Sequence, residues 1–168
     1  MGWKIVGKMD PEIKKSILIV VPHTSWHDFY IGLFTRGIID LEMNFVAKKE
    51  LFKFPFGYYF RCMGGAPLNR NSRQNTVEAI SEIFEKREIF RIAIAPEGTR
   101  KKVYDWKTGF YYIALKAEVP VVPVAFDYSK KVVVLHEAFY PTGDIDLDFK
   151  ILKANYKGII GKIAANSF

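Results

Sequence analysis

Cysteine is almost absent from the sequence, since Cys62 is the single one among 168 residues. A lone cysteine excludes a disulfide within the chain, so the fold depends on its core for stability. Long apolar runs are also missing. The longest near the N-terminus, residues 17–22, is far shorter than the roughly 20 residues that a membrane-spanning helix requires, and no signal peptide is apparent. We therefore predict a chain that faces the cytoplasm and does not cross a membrane by a helix.

Motifs for cofactors and metals are missing as well. The sequence contains no P-loop and no glycine-rich dinucleotide fingerprint. Its three histidines and one cysteine show no spacing that is typical of a metal site. These absences favour a group transfer that uses neither a cofactor nor a metal.

Acidic residues are outnumbered, because 25 Lys and Arg stand against 18 Asp and Glu for a formal net charge of +7. Such an excess favours an anionic partner: nucleic acid, anionic lipid or a phosphorylated substrate. Aromatic residues are densest between Leu51 and Arg61, where lysine and arginine interrupt them, and two smaller clusters precede this segment at Phe29-Tyr30 and Leu33-Phe34. Rings and cations in this arrangement are typical of a membrane interface. Single-stranded nucleic-acid binding uses the same residue types, and packing in the core is the third interpretation.

Short apolar segments alternate with amphipathic ones along the whole chain. This alternation predicts a single α/β domain over residues 1–168, with a central mixed β-sheet flanked by helices. Strands are predicted at 17–21, 43–47, 90–95, 121–126, 132–136 and 145–151. Helices are predicted to start at Asp10, to open between His23 and Asp28 and end before Gly37, and to cover 73–86 and 108–117.

Reactive side chains gather where predicted strands end, which is where layered α/β proteins form their sites. His23 and Asp28 follow the first of these strands. On a continuous helix, five residues would leave the two side chains roughly 140° apart, so they can meet only if His23 precedes the helix. A carboxylate then orients the imidazole, and the free ring nitrogen can deprotonate a hydroxyl that the substrate brings. An ordinary structural pair is the alternative. His27 and His136 are less attractive as a base.

A second group of residues is suited to an anion. Glu97, Gly98, Thr99 and Arg100 offer a carboxylate, a flexible turn, a hydroxyl and a guanidinium in succession. Arginine binds phosphate through two parallel hydrogen bonds, and Arg70 adds charge after a Gly-Gly turn that exposes backbone amides. Taken singly, each segment could also be a solvated surface turn.

Together these segments resemble the glycerolipid acyltransferase family, typified by lysophosphatidate (1-acylglycerol-3-phosphate) acyltransferases. Four family blocks appear in order between residues 17 and 126. They are His-x4-Asp at His23–Asp28, a glycine-rich block ending in arginine at Gly65–Arg70, Pro-Glu-Gly-Thr-Arg at Pro96–Arg100, and Val-Pro-Val-Val-Pro-Val at Val119–Val124.

The resemblance implies a role for each site residue. His23 would be the general base and Asp28 its partner. The phosphate and glycerol portion of the acceptor would be held by Arg70, Glu97, Gly98, Thr99 and Arg100. Acyl-CoA or acyl carrier protein would be the donor, with no further cofactor and no metal. The implied reaction transfers a fatty acyl group to a lysophospholipid, 1-acylglycerol-3-phosphate first of all, and gives phosphatidate.

Alternatives stay open where the sequence departs from the family pattern. Asn69 stands where an aspartate is common, which leaves a lyso-aminolipid or glycerol-3-phosphate open as the acceptor. A basic module that binds anionic membrane without catalysis is a distant alternative. In residues 1–15 apolar residues alternate with lysines, which predicts a short helix on the membrane surface. We therefore expect a peripheral protein on the cytoplasmic face of the membrane, with an anionic lipid surface as partner and no nucleic acid.

Overall fold

The computed structural model describes residues 2–48, 53–54, 56–62, 64–68 and 73–167. Within these ranges the chain forms the strands β1 (Lys4–Val6), β2 (Lys15–Val21), β3 (Asn44–Lys48), β4 (Gly65–Leu68), β5 (Phe90–Ile94), β6 (Val121–Asp127) and β7 (Val132–Leu135). The α-helices are α1 (His27–Ile39), α2 (Phe56–Cys62), α3 (Arg73–Lys86), α4 (Gly109–Ala117) and α5 (Ile145–Ala154).

The strands form one sheet in the order β1-β7-β6-β2-β5-β3-β4. The five strands from β6 to β4 in this order run parallel to one another. Strand β7 is antiparallel to β6, and β1 is parallel to β7. The predicted mixed sheet flanked by helices is therefore confirmed. The five parallel strands all finish at one end of the sheet, which we call the carboxyl end.

Each face of the sheet carries its own hydrophobic cluster. Along β2, Ile17 and Ile19 point to a face that packs against side chains of α3, α4 and α5. The intervening Leu18 points to the opposite face, where Ile31 and Ile39 of α1 complete the cluster. We call these the three-helix face and the α1 face. Because β2 is buried on both faces, its continuous apolar run is typical of a central parallel strand.

The surface helix predicted within residues 1–15 is wrong, and so is the helix start predicted at Asp10. Residues 4–6 form β1 at the edge of the sheet, paired with β7. The apolar-cationic alternation is that of a strand, because Ile5 packs into the α1 face while its two neighbours are exposed. Gly7 then turns the chain with φ +81°, at a place where a Cβ would overlap the Leu135 carbonyl.

The strand predicted at 145–151 is also wrong, because this segment is α5. Asp144 caps its N-terminus by accepting a hydrogen bond from a backbone amide in the first turn. Ile145, Phe149 and Leu152 fall on one side of the helix and pack into the three-helix face. Apolar residues at every second position can thus belong to a helix, if some of them face the solvent.

The remaining predictions are close to the observed boundaries. Helix α3 agrees with the prediction at both ends, and α4, β5, β6 and β7 agree within one residue. Helix α1 starts at His27 and continues past Gly37 to Ile39. The sequence did not predict β1, α2 or β4. In the described part of the chain, every helix is too short or too polar to cross a bilayer.

Candidate active site

The loop between β2 and α1 brings His23 and Asp28 together. Strand β2 ends at Val21 and α1 begins at His27, so Asp28 lies in the first helical turn and His23 precedes the helix. Because the helix does not include His23, the imidazole can turn back toward the carboxylate. His23 Nδ1 lies 3.2 Å from Asp28 Oδ2.

Asp28 is buried, and both of its carboxylate oxygens accept hydrogen bonds. Its Oδ2 accepts hydrogen bonds from the backbone amides of Thr24 and Ser25, each at 2.8 Å. Its Oδ1 accepts a hydrogen bond from the Tyr128 hydroxyl at 2.7 Å. Burial acts to raise the pKa of Asp28, but the hydrogen bonds from His23, Tyr128 and the Ser25 amide outweigh it and hold that pKa below its ordinary value. Asp28 is therefore ionised at neutral pH.

The ionised carboxylate determines which nitrogen of His23 can act as a base. A carboxylate without a proton can only accept, so Nδ1 must carry the hydrogen that points to Asp28. The other nitrogen, Nε2, then has a free lone pair. The His23 side chain is 26% exposed, so a substrate can approach it from the carboxyl end of the sheet.

Glu97 connects the turn after β5 to this loop. Its Oε2 accepts a hydrogen bond from the His23 backbone amide at 2.6 Å, and the residue is only 3% exposed. Burial raises the pKa of Glu97, and the hydrogen bond from His23 opposes that shift. The sequence prediction gave Glu97 to the acceptor's phosphate and glycerol portion. The structure shows its carboxylate in contact with the main chain of the histidine loop.

The rest of this turn presents cations to the solvent. Gly98 has φ +65°, a left-handed conformation that glycine adopts at little cost, so the turn favours glycine at this position.

 The Lys107 side chain passes over Gly98, where its Nζ would lie 2.6 Å from an added Cβ. The Lys107 amide also donates to the Pro96 carbonyl at 2.8 Å. Thr99 is half-buried and Arg100 is exposed. Arg100 and Lys107 can therefore both reach an anion bound at this turn, and Lys107 carried no signal in the sequence beyond its charge.

Arg70, the remaining predicted phosphate ligand, lies outside the described residues, as does Asn69 before it. Strand β4, which precedes them, ends at Leu68. Since β4 is parallel to β3, it finishes at the carboxyl end of the sheet like β2 and β5. The role of Arg70 stays a prediction from the resemblance.

The C-terminal segment packs against the histidine loop, which the sequence did not predict. The Ile163 amide donates to Thr24 Oγ1 at 3.2 Å. The Tyr128 amide donates to the Ile160 carbonyl at 2.8 Å. Between these two contacts, a Cβ added at Gly161 would lie 2.8 Å from the Thr24 side chain. The loop that holds His23 is thus supported from a part of the chain more than a hundred residues away.

The other two histidines have different surroundings. His27 Nδ1 lies 2.9 Å from the Ser25 hydroxyl, so its ring is tied within the loop and away from Asp28. His136 follows β7, which runs antiparallel to β6 and therefore ends at the opposite end of the sheet. Burial lowers the pKa of His136. Among the residues that the structure describes, neither ring has a carboxylate partner as His23 does.

This arrangement can perform base-assisted transfer to a hydroxyl. An ionised carboxylate holds an imidazole in one tautomer, and the imidazole side chain is partly exposed. The turn with the two exposed cations is connected to His23 by the hydrogen bond from the His23 backbone amide to Glu97. A substrate that bears both an anionic group and a hydroxyl can thus be bound and deprotonated at neighbouring positions.

A comparison with known families identifies the class of protein to which the chain belongs. The family model described as Acyltransferase matches residues 4–127, which is most of the chain. The chain belongs to this family, and the resemblance stated from the sequence blocks is confirmed.

The relatives of the chain are more specific in name. The 1-acyl-sn-glycerol-3-phosphate acyltransferase of Salmonella typhimurium is 35% identical over 134 residues, which are 76% of this chain and 53% of that protein. The protein of the same name from Escherichia coli is 34% identical over 122 residues, which are 68% of this chain and 48% of that protein. The chain thus spans about half the length of these relatives.

A solved structure shows the same fold. It is the 1-acyl-sn-glycerophosphate acyltransferase PlsC from Thermotoga maritima, which matches with a TM-score of 0.64 at 24% identity. The match covers 94% of this chain and 71% of that one. The mixed sheet with helices on both faces is therefore the fold of a known acyltransferase.

Proposed function

We propose that the protein transfers a fatty acyl group from a thioester to the hydroxyl of 1-acylglycerol-3-phosphate and so forms phosphatidate. The observation that carries the proposal is the pair His23–Asp28, in which the carboxylate contacts Nδ1 of a partly exposed imidazole and leaves Nε2 for the substrate. The names of the relatives support the choice of acceptor. The donor would be acyl-CoA or acyl carrier protein, and neither a cofactor nor a metal takes part.

The chemistry needs one proton to be moved and returned. His23 Nε2 takes the proton of the acceptor hydroxyl while the oxygen attacks the carbonyl carbon of the thioester. The tetrahedral oxyanion collapses, the bond between carbon and sulfur breaks, and the new ester bond is kept. The departing thiolate receives the proton from the His23 imidazolium, which Asp28 has stabilised.

The turn after β5 would hold the phosphate of the acceptor. Arg100 and Lys107 supply exposed cations at this turn, and the Lys107 side chain lies over Gly98. The resemblance adds Thr99 and Arg70 to this set. Glu97 would act by fixing the backbone of His23, so that a phosphate bound at the turn places its hydroxyl near Nε2.

A lyso-aminolipid or glycerol-3-phosphate is the alternative acceptor. The feature that favours it is Asn69, which stands where an aspartate is common in the family. An asparagine removes a negative charge next to the arginine that would bind the phosphate. The same His23 mechanism would serve either acceptor.

We place the protein at the cytoplasmic face of the membrane as a peripheral protein. The proposed substrate is an amphiphile that resides in the membrane. The chain also carries a net charge of +7, which favours contact with anionic lipid. 

Phe54 and Tyr58 are 97% and 80% exposed in the aromatic segment that the sequence singled out. Aromatic side chains so exposed beside cations are typical of contact with lipid headgroups.

The direct test is acyl transfer by the purified protein with labelled donor. Acyl-CoA and acyl carrier protein would each be paired with 1-acylglycerol-3-phosphate, glycerol-3-phosphate and a lyso-aminolipid. We expect labelled phosphatidate from the wild type and none above background from His23→Ala. His27→Ala is the matched control, because it removes a neighbouring imidazole that has no carboxylate partner. Product from the lyso-aminolipid alone would replace the acceptor, and full activity of His23→Ala would contradict the mechanism.

A further inference from the structure

We infer that the outer side of α1 and the groove beside it form the surface by which this protein docks on an anionic lipid bilayer. The inference rests on the proposed function, because it names the surface through which a lipid acceptor would reach His23. The sequence analysis expected membrane contact at residues 1–15 and in three aromatic clusters, and the inference selects one surface, which contains Tyr30 and Phe34 of the two earlier clusters.

Helix α1 carries a row of large apolar side chains that face the solvent. Trp26, just before the helix, and Tyr30, Phe34 and Ile38 within it are spaced four residues apart, so they lie along one side. Their exposed fractions are 55%, 43%, 49% and 72%. We call these four residues the α1 stripe. A contiguous apolar surface of this kind marks an interaction site more often than an ordinary surface.

The described chain leaves the stripe uncovered. The three-helix face of the sheet is covered by α3, α4 and α5, whereas the cluster on the α1 face draws its helical side chains from α1 alone. Ile31 and Ile39 point inward to this cluster. The helix therefore needs its inner side for the fold, whereas the side chains of the stripe stay 43% to 72% exposed in the described part of the chain.

The stripe borders a groove of about 780 Å³ whose charges complement an anionic surface. Trp26, Tyr30 and Phe34 form one wall, and Lys131, Ile160 and Lys162 contribute to the other. Both lysines are exposed. None of the residues that line the groove, all within the described ranges, is an aspartate or a glutamate. Apolar walls with cations alone at the rim fit acyl chains next to lipid phosphates.

The opposite side of the molecule shows why the charge matters. Leu147 and Ile151 on α5 are exposed to a similar degree, 51% and 44%. The N-terminal end of that helix carries two exposed carboxylates, Asp144 and Asp146. An anionic bilayer would repel the acidic end of α5 and attract the groove, so exposure alone does not make a docking surface here.

The groove also leads to the catalytic pair. Tyr128 lines it, and the Tyr128 hydroxyl donates the hydrogen bond to Asp28 Oδ1. The Lys162 ammonium lies 5.8 Å from the centre of the Tyr128 ring. The groove therefore adjoins the residue that supports Asp28, and a lipid bound there would lie near the catalytic pair. The acceptor would not have to leave the bilayer in order to react.

The test measures binding to vesicles without donor or acceptor. Vesicles of phosphatidylcholine with and without phosphatidylglycerol are sedimented with the wild type, with the double variant Phe34→Glu/Ile38→Glu, and with the control Leu147→Glu/Ile151→Glu. We expect the α1 variant to lose about tenfold or more in partitioning to the anionic vesicles, and the α5 control to stay within about twofold. Lys131→Gln and Lys162→Gln should each weaken anionic binding about fivefold and leave binding to neutral vesicles unchanged.

The outcomes separate docking from catalysis. Equal binding of wild type and the α1 variant would overturn the inference. A shift of the α1 variant from dimer to monomer in size-exclusion chromatography, with unchanged vesicle binding, would also overturn it, because the stripe would then be an interface between two copies. Stripe-dependent binding by a protein that shows no acyl transfer would support the docking surface and contradict the proposed function.

Discussion

Replacing Tyr128 by phenylalanine tests the support that Asp28 receives from the far end of β6. The variant Tyr128→Phe keeps the ring and its edge contact with Trp3, at 4.8 Å between centroids, and removes only the hydroxyl. Asp28 Oδ1 then loses the donor at 2.7 Å, while Oδ2 keeps its contacts with two backbone amides and with His23. A buried carboxylate oxygen is left without that partner.

The expected loss follows from the strength of a hydrogen bond to a charged group. Such a bond contributes about 1.5–3 kcal/mol, which for a chain of this length lowers the melting temperature by about 3–12 °C. The carboxylate is also held less firmly, because only its Oδ2 atom keeps its contacts, so the orientation of the imidazole is less well defined. We expect kcat to fall about tenfold, as a barrier increase of about 1.4 kcal/mol would give. The KM for the acceptor should change little, because Tyr128 does not hold the phosphate.

The dependence on pH distinguishes this role from a loss of packing. The pKa of Asp28 lies below its ordinary value of 3.8, so its ionised form stabilises the fold above that pH. This contribution is lost as the pH falls through the folded pKa. The difference in stability between wild type and Tyr128→Phe should therefore be full at neutral pH and shrink below about pH 4.

The assay combines thermal unfolding from neutral to acidic pH with acyl-transfer kinetics. Tyr140→Phe is the matched control, because that hydroxyl belongs to a side chain that is 63% exposed. A Tyr128→Phe protein with wild-type melting temperature, kcat and pH profile would refute the reasoning, since the hydrogen bond would then contribute nothing to the pair.

Three further changes test other parts of the site. Arg100→Ala should raise the acceptor KM about tenfold with kcat nearly unchanged, since a charged hydrogen bond to phosphate is lost in ground and transition state alike; an unchanged KM would place the phosphate elsewhere. Glu97→Gln should gain stability relative to the wild type as pH rises above about 4.5, because burial penalises the ionised form of Glu97 and raises its pKa; a difference that does not vary with pH in chemical denaturation would contradict this. Gly161→Ala should destabilise the fold by about 1–3 kcal/mol, because the added methyl group overpacks against Thr24, and it should lower kcat. An unchanged melting temperature would contradict this, since the C-terminal segment would then move aside to accommodate the methyl group.

Elements with strong local patterns could be predicted from the sequence. Helix α3 has apolar residues at helical spacing over 14 residues, and its predicted bounds agree with the structure. The central strands β2, β5 and β6 are short apolar runs, which length alone separates from helices. The sequence predicts that His23 and Asp28 can meet only if the helix begins after His23, and the observed start at His27 meets this condition.

The errors arose where tertiary contacts decide between two patterns. The alternation at 145–151 fits a strand by itself, and α5 forms because Asp144 caps it and Leu152 extends a buried side. The lysine-rich N-terminus fits an amphipathic helix, and β1 forms because β7 offers a partner strand. Neither the cap geometry nor the free edge of β7 can be read from the local sequence.

The supporting residues of the site could not be predicted for a related reason. Tyr128 lies 100 residues from Asp28 in the chain, and it follows the last block that carries the family resemblance. Lys107 reaches Gly98 only because the chain after the turn folds back to Pro96. Spacing along the chain predicts the reacting groups, whereas their support depends on how distant segments pack.

The contact between Ile163 and Thr24 sets an order of events during synthesis. The two residues are 139 positions apart, so the loop that holds His23 is made early and receives this contact only when the last part of the described chain has been translated. At about 5–20 residues per second, that interval is on the order of ten seconds. Until these later residues have been made, β2 lacks its neighbouring strand β6, and the histidine loop lacks both Tyr128 and the C-terminal segment. A nascent chain released at the end of the family-matched region, residue 127, would carry His23 and Asp28. It would lack the Tyr128 hydroxyl that supports the carboxylate and the Ile163 amide that contacts the loop.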